Sequence, residues 1–431
     1  MIAKLKKLLL LLFIISSSSI ISQSFEFDSN IYSPESQGLS SKRIDKLNSS
    51  MRDYVDNGKI SCVQTAIMRN GKIIHFNSYG YSNLKTKELI NEKSIFRIYS
   101  MTKPIVSIAL MMLYEEGKFL LDDPVEKYIP EFKDTEILET FNEKDSSYTS
   151  KPSTKKITIR QLLTHTSGIG YDFIDGNPSI KAIFHKKKQS FMKNGVMCFC
   201  DEDVTIGEAI RNLADVPLHH EPGEKFTYSM GLDVLGYMIE IVSGKKLDIF
   251  YREEIFDPLD MNDTYFYLPD SKKERLVPVQ TKKDDNWVIF EDDRFNENYP
   301  VEGERKFFAG GCGLSSTVED YYKFLSVFLN NGKYKGKSFI GKQTNDLLFQ
   351  NQLPDTFGFG IGLALGIVLD KDLKNGGTGT AGTLLGGGYW NTSCFTDPND
   401  KVIGIIFKQT QKIPDNSSNL FKRAVVSSIV K

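Results

Sequence analysis

The sequence predicts an α+β fold, an α/β sandwich in which helices cover one antiparallel sheet built from both ends of the chain. Strand patterns occur near both ends of the 431 residues, and helical patterns fill the middle. The composition, 40% hydrophobic and 25% charged, is that of a globular protein large enough to bury a substantial core. We expect residues of about 25–95 and 300–431 to form the sheet part, and residues of about 96–299 an inserted, mainly helical part.

The first 24 residues have the organisation of a secretory signal peptide. Three lysines lie among the first seven residues, residues 8–15 carry no charge, and a small-residue ending follows at Ser22-Gln23-Ser24. We therefore expect export to the periplasm or the medium and a mature domain of residues 25–431. The alternative is a membrane anchor, but the uncharged run is short for a span. No other stretch is long and apolar enough, so no stable membrane insertion of the mature chain is expected.

The first part of the sheet follows a helix. Ser40 can cap a helix that runs to about Asn57, with apolar residues at helical spacing on its inner face. Cys62–Arg69 and Lys72–Tyr79 flank Asn70-Gly71, a pair preferred in tight hairpin turns. A helix and two antiparallel strands are therefore predicted before residue 96.

A long buried helix is predicted next. The run from Ile105 to Tyr114 is apolar almost all round, and Pro104 suits a first helical turn. Residues i and i+3 share one face, so the Ser100 hydroxyl would meet the Lys103 ammonium there. Because Ser-x-x-Lys recurs in polar stretches of this chain, a capping serine beside a surface lysine fits the spacing equally well.

The middle and the end of the chain alternate helices with connections. Capping boxes at Thr158-x-x-Gln161 and Thr205-x-x-Glu208 begin two helices. The further predicted elements, in order, are a polar loop at Thr135–Ser153, a helix at Gly231–Val242, a polar region at Pro269–Pro300, a helix at Val318–Leu329 capped by Ser316, strands at Phe357–Leu369, Gly388–Phe395 and Val402–Phe407, and a last helix at Ser418–Val430.

Two short segments suggest a site beside Ser100. Tyr228 follows the Pro222-Gly223 turn just before a helix, where a phenol can project into a cleft, although a core or surface tyrosine is the plainer interpretation. Gly386, Gly387 and Gly388 fall at the start of a predicted strand, where missing side chains let a substrate approach the backbone, or form a simple bulge. The segment 308–313 reads as a tight structural connection.

Taken together, these segments resemble the serine β-lactamase/penicillin-binding-protein family, in particular its class C-like branch of esterases, D-aminopeptidases and carboxypeptidases. The resemblance runs from about Ser36 to Gln409 and rests on five segments in family order. These are Phe96–Lys103, Ile157–Gly168 with its Leu-Leu-x-His-x-Ser-Gly pattern, Pro222–Gly236, Phe308–Leu329 and Gly386–Pro398. It implies a β-lactamase/transpeptidase-like fold.

The resemblance also implies roles for individual residues. Ser100 would be the acylated nucleophile, with Lys103 and Tyr228 as its base system, and which of the two accepts the proton stays open. Backbone N–H groups of Ser100 and Tyr389 would form the oxyanion hole. His165 would hold a turn. No metal and no cofactor is implied.

Two departures from the family pattern narrow the range of substrates that we expect. Tyr-x-Asn becomes Tyr228-Ser229-Met230, so a thioether replaces the substrate-binding amide. Lys-Thr-Gly becomes Gly386-Gly387-Gly388, so no cation there can hold a substrate carboxylate. We therefore expect Met230 and the three glycines to line a substrate site for small carboxylic esters. The alternatives are a β-lactamase or D,D-carboxypeptidase/D-aminopeptidase, and a catalytically silent member that binds peptidoglycan or another ligand.

Charge and cysteine content restrict partners further. A formal charge of −1 gives no reason to expect nucleic acid as a partner, and the resemblance implies a small acyl substrate instead. Five scattered cysteines do not form a disulfide scaffold, and the histidines lack metal-ligand spacing. Buried thiols are expected, with one disulfide as the alternative. The sequence indicates no oligomeric state.

Overall fold

A computed structural model describes residues 28–84, 86–187, 203–292, 295–296 and 298–431. The predicted signal peptide, residues 1–24, lies outside this described part, as do Cys198 and Cys200. Within the described part, no helix has both the length and the apolar character needed to cross a membrane.

The predicted sheet forms from both ends of the chain and has nine strands. Eight of them follow one path across the sheet, namely Asp28–Ile31, Lys72–Asn83, Cys62–Arg69, Val402–Phe407, Thr392–Asp397, Leu384–Gly388, Gly366–Ile367 and Gly360–Ile361, and Glu88–Leu89 pairs with the second of these. The junction between the two ends is the antiparallel pair in which Ile405 lies opposite Ala66. The first strand, Asp28–Ile31, is not antiparallel to its neighbour, since it pairs in parallel with Lys72–Asn83.

Helices cover both faces of this sheet. The α-helices of the described part are Ser41–Asp56, Lys103–Glu115, Ile159–Leu163, Pro178–Lys186, Ile206–Leu213, Gly231–Ser243, Leu247–Tyr251, Val318–Leu329, Lys342–Leu348, Asp370–Lys374 and Ser417–Ser428. Side chains alternate between the two faces of a strand. Accordingly, Val402 and Ile406 pack with the first and last helices, whereas Ile403 and Ile405 belong to the larger core that contains Lys103–Glu115. The α/β sandwich is therefore confirmed.

The described part also contains short two-stranded sheets. One links the segment before the core helix to the helix that follows residue 317, by pairing Phe96–Arg97 with Ser315–Ser316. Another pairs Gln280–Lys283 with Asn286–Ile289. Lys333–Tyr334 pairs with Lys337–Ser338.

Three local predictions are wrong. The predicted loop at Thr135–Ser153 is a hairpin of Glu136–Asn142 and Ser147–Pro152, whose mostly exposed side chains give no apolar alternation. The strand predicted at Gly388–Phe395 is interrupted by a turn, because Asn391 adopts φ 67° and ends the pairing. The glycines therefore end a strand rather than begin one. The helix Val318–Leu329 is capped by Thr317, whose hydroxyl accepts the Asp320 N–H, and not by Ser316.

Candidate active site

Ser100 lies in a 3₁₀ turn, Tyr99–Thr102, which leads directly into the core helix Lys103–Glu115. Tyr99 has a positive φ of 46°, which is uncommon for a bulky side chain and turns the chain sharply before the serine. The Met101 N–H donates to the Ile98 carbonyl, the first hydrogen bond of the turn. The N–H of Ser100 precedes it and so belongs to the groups that a helical start leaves without a helical acceptor.

Lys103 contacts Ser100 as the i,i+3 spacing predicts. Its ammonium donates to the Ser100 Oγ at 3.1 Å and to the Gly311 carbonyl at 2.7 Å, and the side chain is almost completely buried. The Gly311 N–H in turn donates to the Asp233 Oδ1 at 2.9 Å. The backbone of a single residue, Gly311, therefore connects the lysine with a buried carboxylate on the helix Gly231–Ser243.

The ammonium form of Lys103 is favoured by its surroundings. Burial acts against the charge, but the Tyr228 phenol, Cys312 and Asp233 outweigh it and raise the pKa of Lys103 above its ordinary value. Burial raises the pKa of Asp233 as well, against the opposing effects of the Gly311 N–H and Lys103. Lys103 is therefore a cation at neutral pH, with no lone pair to accept a proton.

Tyr228, from a loop more than a hundred residues away, completes the group. Its hydroxyl donates to the Ser100 Oγ at 2.7 Å, and the Lys103 Nζ lies 4.8 Å from the centre of its ring. Tyr171 stacks on the same ring, with centroids 5.7 Å apart and an interplanar angle of 7°. The phenol is thus fixed on a rigid aromatic surface rather than on a free loop.

His165 holds the Tyr228 loop from the opposite side. Its carbonyl accepts the Thr227 N–H at 2.8 Å, its Nδ1 accepts the Ser229 N–H at 3.1 Å, and its ring lies 4.5 Å from that of Tyr228. Burial, assisted by the Lys103 charge, lowers the pKa of His165 to about 3. A neutral imidazole therefore clamps the residues on either side of the phenol.

The end of the strand Leu384–Gly388 lies against the Tyr99–Thr102 turn, which contains Ser100. A Cβ on Gly388 would fall 2.3 Å from the Ile98 carbonyl oxygen, so only glycine allows this approach. Tyr389 follows directly, and its ring lies 5.8 Å from that of Tyr99. Tyr389 and Ser100 therefore come from two segments in close contact.

A cavity of about 130 Å³ opens between these elements. The residues that line it are Ser100, Lys103, His165, Phe226, Tyr228, Ile361, Ala364, Leu365, Gly366, Leu385, Gly386 and Gly387. Apart from the serine, lysine, histidine and tyrosine, this lining is apolar or glycine. The cavity can hold a small uncharged group beside the serine hydroxyl.

The structure brings most of the predicted site residues together. Ser100, Lys103, Tyr228, Gly386 and Gly387 share this cavity. Gly388 and Tyr389 lie at its edge against the serine turn, as described above. Met230, predicted to line the substrate site, is 1% exposed at the N-cap position of the helix Gly231–Ser243, packs in the hydrophobic core and is not among the residues that line the cavity.

Four residues that contribute to the site were not predicted from the sequence. Gly311 acts through its carbonyl, which every residue type possesses, so its identity gives no signal. Asp233 and Tyr171 are a helix residue and a loop aromatic of ordinary appearance. Phe226 lies only two residues before Tyr228 and could have been found by that proximity.

Comparison with known proteins agrees with this geometry. The family model described as Beta-lactamase matches residues 47–426 of the chain. The chain belongs to the beta-lactamase family. The predicted enzyme class, a serine hydrolase related to β-lactamases and penicillin-binding proteins, is therefore confirmed.

Individual known proteins are similar to this one along most of the chain. Protein Rv1367c of Mycobacterium tuberculosis is 29% identical over 392 residues, which are 87% of this chain and 91% of that protein. Esterase EstB of Burkholderia gladioli is 27% identical over 343 residues, or 77% and 81% of the two chains. Simvastatin synthase LovD from Aspergillus terreus, a solved structure 22% identical, superposes with a TM-score of 0.74 over 90% of this chain and 99% of its own.

The described part contains three of the five cysteines. Cys62 and Cys394 are buried free thiols, and Cys312 is buried as well. Among the residues described, no group of three or more histidine, cysteine or acidic side chains could hold a metal ion.

Proposed function

We propose that the protein hydrolyses small carboxylic esters through a covalent acyl-enzyme on Ser100. The observation that carries the proposal is the pair of contacts to one oxygen: Ser100 Oγ lies 2.7 Å from the Tyr228 hydroxyl and 3.1 Å from the Lys103 ammonium. A nucleophile within hydrogen-bonding distance of its activating groups is the arrangement required for acyl transfer.

Tyr228 is the base in this proposal. An ammonium cannot accept a proton, and the raised pKa of Lys103 keeps it charged. Its charge lies 4.8 Å from the centre of the Tyr228 ring, where it offsets the negative charge that the phenol oxygen carries while it acts as the base. The contact now drawn from Tyr228 to Ser100 then reverses, so that the serine donates its proton while Oγ attacks the ester carbonyl.

The remaining steps use backbone groups and the same phenol. The N–H groups of Ser100 and Tyr389 would stabilise the oxyanion, and loss of one such donor typically costs about 2.7–4 kcal/mol. Tyr228 returns its proton to the departing alcohol oxygen as the bond between the carbonyl carbon and that oxygen breaks. Water, deprotonated by the same phenolate, then releases the acid and restores Ser100.

The lining of the cavity favours esters over the alternatives. Gly386 and Gly387 present no cation to a substrate carboxylate, and Met230 is buried away from the cavity. A β-lactamase or D,D-peptidase would need such polar recognition. The relative from Burkholderia gladioli is named an esterase, which supports the same choice. A silent binding protein would not need Ser100, Lys103 and Tyr228 in mutual contact.

The decisive experiment uses the full mature chain with short-chain p-nitrophenyl esters, a chromogenic cephalosporin and a fluorophosphonate. We expect ester turnover and labelling of Ser100, and loss of both in Ser100→Ala. Tyr228→Phe should lower kcat by about 10²–10⁴-fold. Turnover of the cephalosporin but not of esters would favour the β-lactamase alternative, and near-native rates in Tyr228→Phe would exclude the phenol as base.

We also propose that the enzyme is exported and acts in the periplasm or outside the cell. The support is the basic and apolar pattern of residues 1–24. Mass spectrometry of the protein recovered from the expressing bacterium tests this, since a mature chain should begin near residue 25. A full-length chain retained in the cytoplasm would contradict the proposal.

A further inference from the structure

We propose that Phe226, Phe359 and Phe357 form a binding track for the apolar alcohol portion of the ester, an inference that rests on the proposed ester hydrolysis. Phe226 lines the Ser100 cavity. Its ring meets that of Phe359 edge to face, with centroids 5.1 Å apart at 88°, and Phe359 meets Phe357 at 6.5 Å and 89°. These three residues, called the phenylalanine track below, lead from the serine to the surface.

The member of the track that is most exposed to solvent is Phe359. Phe359 is 38% exposed, although it is one of the large hydrophobic side chains that a fold normally covers. Isolated exposed apolar residues need no explanation, but this one continues directly from a catalytic cavity. Its free face is therefore available to a ligand that already occupies the space beside Ser100.

The track lies on a fixed wall rather than on a loose loop. The Ile361 N–H donates to the Asn351 side chain at 3.1 Å, and the Gln352 N–H donates to the Ile361 carbonyl at 2.7 Å. The Ala364 N–H donates to the Leu163 carbonyl at 3.1 Å, which joins the wall to the helical part. A subsite held in this way is formed before the ligand arrives, so little ordering opposes binding.

Proton transfer indicates which half of the ester occupies the track. When the acyl bond breaks, the departing alcohol oxygen must receive its proton from the Tyr228 hydroxyl and so must lie beside it. Phe226 is two residues before Tyr228, and its ring contacts His165 at 5.8 Å, which in turn lies against the Tyr228 ring. The carbon skeleton of the alcohol is therefore placed next to Phe226 and can extend to Phe359.

The chemistry of the track identifies the class of alcohol. Its members offer ring faces and edges, and the neighbouring Ile361 and Leu365 are apolar. Aromatic rings gain most from such edge-to-face contacts. We therefore assign the preferred substrates as small-acyl esters of aryl-bearing or extended apolar alcohols.

The test compares 2-phenylethyl acetate with ethyl acetate, which share one acyl group and have alcohols of similar acidity. The wild-type chain should have the higher kcat/KM for 2-phenylethyl acetate. Phe359→Ala should lower that value about fivefold to tenfold, mainly through KM, and lower the value for ethyl acetate by a clearly smaller factor. Phe359→Leu should recover part of the loss. Phe141→Ala, the same change on the distant hairpin strand Glu136–Asn142, is the matched control and should change neither substrate.

The outcomes separate this inference from the proposed function. Equal kcat/KM values for the two acetates in the wild type, or an equal loss of both in Phe359→Ala, would overturn the track and leave ester hydrolysis intact. A changed preference between ethyl acetate and ethyl butyrate, with no change among alcohols, would assign the track to the acyl group instead. Absence of any ester turnover together with failure of fluorophosphonate labelling would overturn both.

Discussion

At the scale of single residues, the site depends on how a phenol is kept still and a lysine is kept charged. Tyr228 lies between the His165 and Tyr171 rings, and Lys103 is held by the Gly311 carbonyl. Neither the ring contacts of Tyr228 nor the hydrogen bond from Lys103 to Gly311 involves the atoms that would exchange bonds with the substrate. Both fix the geometry at Ser100 Oγ before a substrate binds, which is the main requirement for rapid acyl transfer.

The first prediction concerns His165 as a positioning residue. His165→Asn keeps a side chain that tolerates the positive φ of 57°, but it removes the ring that packs on Tyr228. We expect kcat to fall about tenfold while the shape of the pH–rate profile stays the same, because an imidazole whose pKa is about 3 does not titrate between pH 5 and 8. Loss of an acid limb near pH 6.5 in the variant would instead identify His165 as the base.

The second prediction concerns Asp233 and the charge of Lys103. Asp233→Asn keeps an oxygen that can accept the Gly311 N–H but removes one of the negative groups that raise the pKa of Lys103. The lysine should then lose its proton at lower pH, so the alkaline limb of kcat/KM should move to lower pH than in the wild type. Asp233→Ala, which also removes the acceptor, should lower kcat about tenfold or more at every pH. Superimposable profiles of wild type and Asp233→Asn would contradict this coupling.

At the scale of elements, the geometry at Ser100 depends most on one contact, the close approach of the strand Leu384–Gly388 to the Tyr99–Thr102 turn. Gly388→Ala would place a methyl group 2.2 Å from the Thr392 Oγ1 and 2.3 Å from the Ile98 carbonyl oxygen, both on fixed backbone segments. The strand must then move away from Ser100. We expect a loss of stability of about 1–3 kcal/mol and a fall in kcat of at least tenfold.

The neighbouring glycine provides the control for that substitution. A Cβ on Gly387 meets only the Thr392 carbonyl oxygen at 3.7 Å, an ordinary contact. Thermal unfolding of Gly387→Ala should therefore resemble that of the wild type, while Gly388→Ala unfolds at a lower temperature. Equal melting temperatures for the two variants would show that the strand and the turn can separate without cost.

Elements with an apolar pattern could be predicted from sequence, and those without one could not. The core helix and the hairpin around Asn70-Gly71 have strong periodicity or a specific turn pair. The hairpin at residues 136–152 is held instead by cross-strand contacts between polar side chains, such as the 2.7 Å contact of Thr140 with Thr149. Polar strands exposed on both faces look like a loop in sequence.

The residues of the site can also be divided into those that could be predicted from the sequence and those that could not. Ser100, Lys103 and Tyr228 could be found because acyl transfer requires those side chains in recognisable segments. Gly311 supports Lys103 through a carbonyl, and Met230 lost its predicted role because its backbone starts a helix. Contacts made by the main chain leave no mark on residue type, so only the folded chain reveals them.

At the scale of the whole molecule, the two ends of the chain build the sheet, and the middle of the chain supplies Ser100, Lys103 and Tyr228. Cys62–Arg69 pairs with Val402–Phe407 across more than three hundred residues. The helix Val318–Leu329 and the core helix pack on the same face of that sheet. Disturbing the sheet therefore disturbs the surface on which Ser100 is presented.

Acid stability tests this dependence, because each part of the molecule contains a buried histidine, His75 in the sheet part and His165 in the helical part. Burial lowers the pKa of His75, on the strand Lys72–Asn83, to about 4, and that of His165 to about 3. In the unfolded chain both bind a proton below about pH 6.5, whereas the folded chain excludes it. The free energy of unfolding must therefore fall as the pH decreases from 7.5 to 5, by about 2 kcal/mol for each histidine.

Urea unfolding at the two pH values should show this loss, and His75→Gln, which does not titrate, should show about 2 kcal/mol less of it. An unchanged pH dependence in His75→Gln would mean that His75 is already protonated in the folded sheet.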